Sequence, residues 1–376
     1  MMTLTSAFRD SSQVTKLIKL IQTVADPLAD KWGRPLQVME VCGGHTHAIF
    51  KFGLDQLFPK SVEFIHGPGC PVCVLPVETI DQALAIAEQP EVIFTSFGDP
   101  LRVLGSKKSL LQAKAQGADI RVLYSPLDAI DLAKNNPDKQ VVFFAIGFDT
   151  TIPSIAFSLL TAAQQGIRNL RFLCHHIRLM PTLMALLVGD DVQLDGFVGP
   201  GHVSMVIGAN AYHPIAECFQ KPLVIAGFEP VDFLQALYQL ILQLAQSRCE
   251  IENAYARVVT AEGNLSAQQT ISTVFDDGVD SQWRGLGVVP GSGVKIKDYY
   301  QAFDATQLLS STVLSLSSAE ITDPGYCNAV LTGKLKPDQC PLFRKHCTPE
   351  NPKGALMVSG EGACAAYYHY KREFCV

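Results

Sequence analysis

Leu36-Gln37-Val38-Met39-Glu40-Val41-Cys42-Gly43-Gly44-His45-Thr46-His47 reads as a strand that runs into a glycine turn. Glycines there let the backbone bend sharply and approach a ligand closely. A cysteine sits at the tip and two imidazoles follow it, with a helix expected to open at Thr46. Backbone N–H groups at a helix start favour negative charge, so the turn is expected to stabilise a thiolate at Cys42. The functional reading is a reactive or metal-binding thiol, with His45 as its catalytic neighbour. The bland one is a small buried cysteine beside a structural turn.

Outward from this stretch, short apolar runs alternate with helical periodicity. Strands are expected at 36–41, 62–66, 91–96, 120–124, 140–146, 170–174, 195–198 and 222–226, and helices at 12–26, 76–88, 127–134, 153–164 and 231–247. Pro27 and Trp32-Gly33-Arg34-Pro35 are expected to break the first helix. The alternation implies an α/β fold with parallel sheets, whose ligands bind at the carboxyl ends of strands. Three turns recur in the same order: Gly43-Gly44-His45-Thr46 with Gly147-Phe148-Asp149-Thr150, Gly67-Pro68-Gly69 with Gly199-Pro200-Gly201, and Phe97-Gly98-Asp99-Pro100 with Phe228-Glu229-Pro230. We expect two related α/β domains, 34–135 and 138–247. In a cleft between them, the first would contribute cysteines and the second Asp149 and His202. Residues 250–376 are loop-rich, including Gly285–Gly293. With 1–33 they are expected to form a third domain, held by a metal centre, on which the N-terminal helix packs.

A net charge of -6 and a pI near 5.8 point away from an electrostatic nucleic-acid partner. Met1 to Gln13 lacks the apolar segment of a signal peptide. The two stretches without charged residues, 150–167 and 196–216, are broken by Pro, Gly, Ser, Gln or His and read as buried core, with no membrane span. The expected location is cytoplasmic, where thiols stay reduced and 11 cysteines favour metals or redox catalysis over structural staples.

Gly67-Pro68-Gly69-Cys70-Pro71-Val72-Cys73 carries a Cys-x-x-Cys after a strand, either a redox dithiol, half a metal site or inert thiols. Cys327, Cys340, Cys347 and Cys364 are separated by 12, 6 and 16 residues. Four thiolates suit tetrahedral zinc or an iron–sulfur cluster, and the wide spacing favours the cluster, whose corners lie farther apart. Cys375 reads as a surface thiol, Cys218 and Cys249 as structural. Cys174-His175-His176 reads as core packing with room for one functional histidine, since adjacent strand residues face opposite ways. His66 and His213 read as satisfied histidines. Asp99 and Asp149 are either helix caps or carboxylates that orient a ligand.

Together, Cys42-Gly43-Gly44-His45-Thr46-His47, Gly67-Pro68-Gly69-Cys70-Pro71-Val72-Cys73, Gly147-Phe148-Asp149-Thr150-Thr151 and the C-x12-C-x6-C-x16-C ending resemble the HypD family of nickel–iron hydrogenase maturation proteins over nearly the whole chain. The resemblance implies a complex with the small protein HypC, on which an iron carrying two cyanides and one carbon monoxide is assembled. HypE, loaded through HypF, would donate cyanide. Cys42 would ligate that iron, Cys70 and Cys73 would form a thiol–disulfide pair, and Cys327, Cys340, Cys347 and Cys364 would hold a 4Fe-4S cluster. Electrons would pass from the cluster to the dithiol and on to Cys42. Such a chain is a metallocentre-assembly scaffold with redox activity more than an ordinary enzyme. The competing readings are a stand-alone iron–sulfur thiol oxidoreductase and a zinc-stabilised binding module.

Overall fold

The computed structural model describes residues 7–188, 194–284, 286–310 and 326–371; Cys375 and Gly285 lie outside them. In chain order its elements are α1 (Ser11–Trp32), β1 (Leu36–Glu40), α2 (Gly43–Lys51), β2 (Val62–His66), α3 (Val77–Ala87), β3 (Val92–Ser96), α4 (Leu110–Ala115), β4 (Ile120–Val122), α5 (Asp128–Asn135), β5 (Gln140–Gly147), α6 (Ile152–Gln164), β6 (Leu170–His176) and α7 (Leu179–Val188). There follow β7 (Gly196–Pro200), α8 (Gly201–Ile207), α9 (His213–Phe219), β8 (Leu223–Ala226), α10 (Pro230–Ala245), β9 (Ile251–Asn253), α11 (Leu265–Val274), β10 (Phe275–Trp283), β11 (Gly287–Ile296), α12 (Cys327–Leu331) and α13 (Ala363–Tyr370). The α/β class with parallel sheets is confirmed.

The chain forms two compact units: Met1–Cys70, Leu183–Asn264 and Gly325–Val376 in the first, and Pro71–Thr182 with Leu265–Pro324 in the second. The first is built on a parallel sheet of order β2-β1-β7-β8-β9, the second on one of order β4-β3-β5-β6. The strands therefore group differently from the expected spans 34–135 and 138–247. β1 pairs with β7, Val38 standing beside Gly196, and β3 pairs with β5. Two units of like winding exist, since each sheet places its second strand outside its first and its third on the other side. Each direction reversal leaves a crevice at the carboxyl ends of two neighbouring strands. The Gly-Pro-Gly echo at 67–69 and 199–201 thus belongs to one sheet, at the ends of β2 and β7.

In the first unit, Ile21, Ala25 and Leu28 of α1 meet Leu234, Leu237 and Ile241 of α10 over Val38, Val198 and Val224 of the sheet. Burying a Leu or Ile side chain contributes about 1.5–3 kcal/mol. Asp10 caps α1 through the N–H groups of Ser12 and Gln13, and Gly33, at φ +66, closes it. Pro27 does not break this helix, contrary to expectation. The apolar stripe packed on α10 continues past it and offsets the lost backbone bond. In the second unit β5 is buried along Val141–Gly147, as a central parallel strand must be. The expected loop at 285–293 is instead largely strand: β11 pairs antiparallel with β10, and its glycines Gly287 and Gly291 take positive φ. Gly278, also at positive φ, sits at a bulge in β10.

Candidate functional site

In the first unit, β1 and β7 lie side by side and run the same way, and their carboxyl ends mark the reversal of strand order. Cys42 stands there as the N-cap of α2, which begins at Gly43, three residues earlier than expected. The residue as a whole is half-buried. The N–H of Gly43 donates to Gly69 O at 3.0 Å. A Cβ on Gly69 would lie 2.5 Å from Gly43 N and 2.7 Å from Cys42 Cα, so only glycine allows the two turns to touch. Gly69 carries the chain into Cys70, which is buried. A Cβ on Gly44 would lie 2.8 Å from the Phe228 ring and 3.6 Å from Cys42 Sγ.

The expected thiolate at Cys42 is overturned. Burial, followed by the nearby Glu40 charge, pushes the thiol up to about 12, although the His45 and Gly44 N–H groups pull the other way. Dehydration outweighs the few N–H groups of one helix end. A bound metal reverses this balance, because a coordinating thiol loses its proton outright.

Glu40 is the residue that sequence reasoning passed over. It is fully buried and accepts three hydrogen bonds: from the Cys42 N–H at 3.0 Å, from the Thr46 hydroxyl, and at 2.6 Å from His66 Nδ1. A carboxylate at the end of an apolar strand was the available signal, since buried acids need partners. His66 is a satisfied histidine, as expected. His45 is buried, with Nε2 3.0 Å from Gly227 O, while Nδ1 finds no hydrogen-bond partner among the described residues. Burial lowers its pKa and keeps it neutral. The Phe228 ring lies 4.7 Å from His45 and stacks at 3.9 Å on His202. His202 therefore shares a unit with Cys42, where it had been assigned to the opposite wall of a cleft. Arg9 makes a two-pronged ion pair with Glu229, anchoring the turn that presents Phe228.

Cys73, Asp99, Asp149, His175 and His176 lie in the second unit, Cys218 and Cys249 in the first. Cys73 is buried in a short helical turn directly after Pro71, where the chain passes into that unit. Asp99 pairs with Arg102 at 2.9 Å near the surface. Asp149 is buried, takes the Leu179 N–H at 2.9 Å and pairs with Arg178 Nε at 2.8 Å, the geometry of a cap on α7. His175 reaches Thr79 at 3.3 Å, and both ring nitrogens of His176 lack a hydrogen-bond partner among the described residues. Cys249 donates to Gln220 O at 3.0 Å, and Cys218 is exposed.

Cys327, Cys340, Cys347 and Cys364 are all buried, in the first unit. Cys327 opens α12 after Tyr326 at φ +56, and Arg344 between Cys340 and Cys347 sits at φ +59. Side chains rarely adopt that backbone without a surrounding that demands it. Cys347 Sγ accepts the Lys353 N–H at 3.3 Å, and a Cβ on Gly354 would fall 2.2 Å from Cys327 Sγ. Arg344 donates to Tyr368 O at 3.3 Å and Lys371 O at 2.7 Å, which caps α13 and ties the Cys340–Cys347 loop to the helix that carries Cys364. Among the described residues, no three His, Cys, Asp or Glu side chains are grouped to hold one metal ion. All four thiols are buried, and one of their sulfurs takes a backbone N–H. The same segment packs on the Cys42 helix. Glu361 abuts Gly43, Tyr367 meets Phe50 at 4.7 Å, and Tyr370 meets His47 at 5.3 Å.

No helix among the described residues is long and apolar enough to cross a membrane. The HypD family, described as "Hydrogenase formation hypA family", matches residues 12–371. The chain is 53% identical to "Hydrogenase maturation factor HypD" of Escherichia coli (strain K12) over 367 residues, covering 97% of each chain. It is 50% identical to the protein of the same description from Rhodobacter capsulatus, again with 97% of each chain covered. With the glycine-bound cysteine turn and the four-cysteine tail in place, these matches establish that the chain belongs to the HypD family.

Proposed function

We propose that this chain matures nickel–iron hydrogenase in the cytoplasm, as the scaffold on which the cyanide- and carbonyl-bearing iron is assembled. The observation that carries the reading is the Gly69 carbonyl on the Gly43 N–H. It brings the turn of Cys42 and the turn before Cys70 to one point at the carboxyl edge of the first sheet.

Each residue has a part in this account. Cys42 ligates the iron, with a cysteine of a HypC-type partner as second thiolate, and its proton leaves to solvent when the metal binds. Glu40 holds the Cys42 N–H and fixes where the sulfur points. His45, neutral and with Nδ1 open, and His202 on Phe228 form the imidazole side of the same edge. Cys70 and Cys73 serve as a dithiol that passes reversibly to a disulfide, releasing two electrons and two protons. Cys327, Cys340, Cys347 and Cys364 hold the 4Fe-4S cluster, which supplies single electrons when bound. HypE is the cyanide donor. Asp99 and Asp149 act on position, through Arg102 and α7.

Hydrogenase maturation restored by plasmid-borne variants in cells lacking their own copy tests the scheme. Cys42→Ala, Cys70→Ala and Cys73→Ala are each expected to give no active hydrogenase. Full maturation by both Cys70→Ala and Cys73→Ala would remove the dithiol step. Anaerobic isolation tests the tail: a brown, iron- and sulfide-bearing protein is expected, and a colourless one with a single zinc would remove the cluster.

A further inference from the structure

The first unit holds a second cavity, of about 240 Å³, that the maturation scheme leaves unused. Its walls are aromatic: Phe58 and Phe64 meet tilted at 4.5 Å, and Phe50 and Tyr367 at 4.7 Å. Its rim carries Lys60, Lys336 and Lys371 against one carboxyl, Asp55. Lys336 is paired with Glu63 and Lys371 with Asp338, while Lys60 has no ion-pair partner among the described residues. Burial raises the Asp55 pKa, while Lys371 and His66 pull it the other way. Glu63 and Asp338 already answer two of the three ammoniums, so Lys60 is the cation left to meet an incoming anion.

His66 lines the same cavity, and its Nδ1 is turned inward to Glu40. Glu40 in turn holds the Cys42 N–H. An occupant would therefore rest two hydrogen-bonded groups away from Cys42.

We propose that this cavity is a binding site for a small carboxylate with an apolar or aromatic body, its anion at the lysine rim and its body between Phe58, Phe64 and Tyr367. Apolar walls with a few convergent polar groups are the usual make-up of a ligand site, and the volume suits a compact ligand. The cavity claim stands apart from the iron reading.

Calorimetric titration of the full-length protein with benzoate, and with benzamide as the uncharged control, tests it. One saturable benzoate site per chain is expected, with benzamide bound at least about fivefold more weakly. Lys60→Ala and Lys371→Ala should each weaken benzoate by about fivefold, the size of one exposed charge pair. Lys60 is exposed and Lys371 partly so, and far-ultraviolet circular dichroism checks that each variant keeps the fold. Phe58→Ala should weaken both probes alike, and the benzoate affinity of Cys42→Ala should equal that of the unaltered protein. Absence of saturable benzoate binding would overturn the proposal. So would equal affinity for benzamide, unchanged affinity in both lysine variants, or loss of binding in Cys42→Ala.

Discussion

Gly69 decides the site at the scale of single residues. A methyl group there has no room against Gly43 N and Cys42 Cα, and both neighbours are backbone that cannot swing aside. Gly69→Ala is expected to destabilise the protein by about 1–3 kcal/mol, the usual cost of overpacking. Gly98→Ala, which meets nothing within 4 Å, should cost far less in the same denaturant titration. His176 governs a pH response. Burial, with a smaller contribution from His175, lowers its pKa to about 3, so the unfolded chain takes up a proton that the folded one refuses. Stability is therefore whole above about pH 6.5 and falls as pH drops from there toward about 3, by on the order of a few kcal/mol. His176→Leu should flatten that slope in urea titrations across this range, and an unchanged slope would contradict the assignment. Cys42, His45, Cys70 and His202 were legible because glycine turns after apolar runs announce themselves. Glu40 was not, since its role lies in partners 2 to 26 residues away.

At the scale of elements, local pattern served well where packing agrees with it. Val62–His66 was read to the residue and the other expected strands to within a few, whereas the short parallel strand β9 was missed. Two misreadings share a cause. Pro27 and the glycines of β10–β11 carry the local marks of breaks, yet burial of α1 on α10 and the bulged hairpin pairing override them. Pro27→Ala should then stabilise the protein by about 1 kcal/mol or more, by restoring one backbone bond in a helix interior. Arg344 is the opposite case, a surface-looking residue that holds the end of α13. Arg344→Ala is expected to speed amide hydrogen exchange in residues 363–370 while leaving α1 unchanged. Equal exchange in both proteins would show that the cap does not hold the helix.

For the whole molecule, the lesson is in the order of strands. Sequence order suggested two consecutive halves, whereas β1 and β2 share their sheet with β7, β8 and β9. Crossovers of that length leave no local trace, so repeated turns identified the winding but not which strands share a sheet. The tail belongs to the first unit, and its aromatic contacts with Phe50 and His47 lie directly on the helix that Cys42 caps. Removing residues 326–376 should therefore raise exchange in α2 and β2. The central claim, that Cys42 holds the iron under assembly, is tested most directly by infrared spectroscopy with iron analysis. The sample is protein isolated anaerobically with its HypC-type partner, as unaltered chain and as Cys42→Ala. The account predicts cyanide and carbonyl stretching bands in the unaltered complex and none in Cys42→Ala, with the iron of the tail retained in both. Bands of equal strength in the two would contradict it.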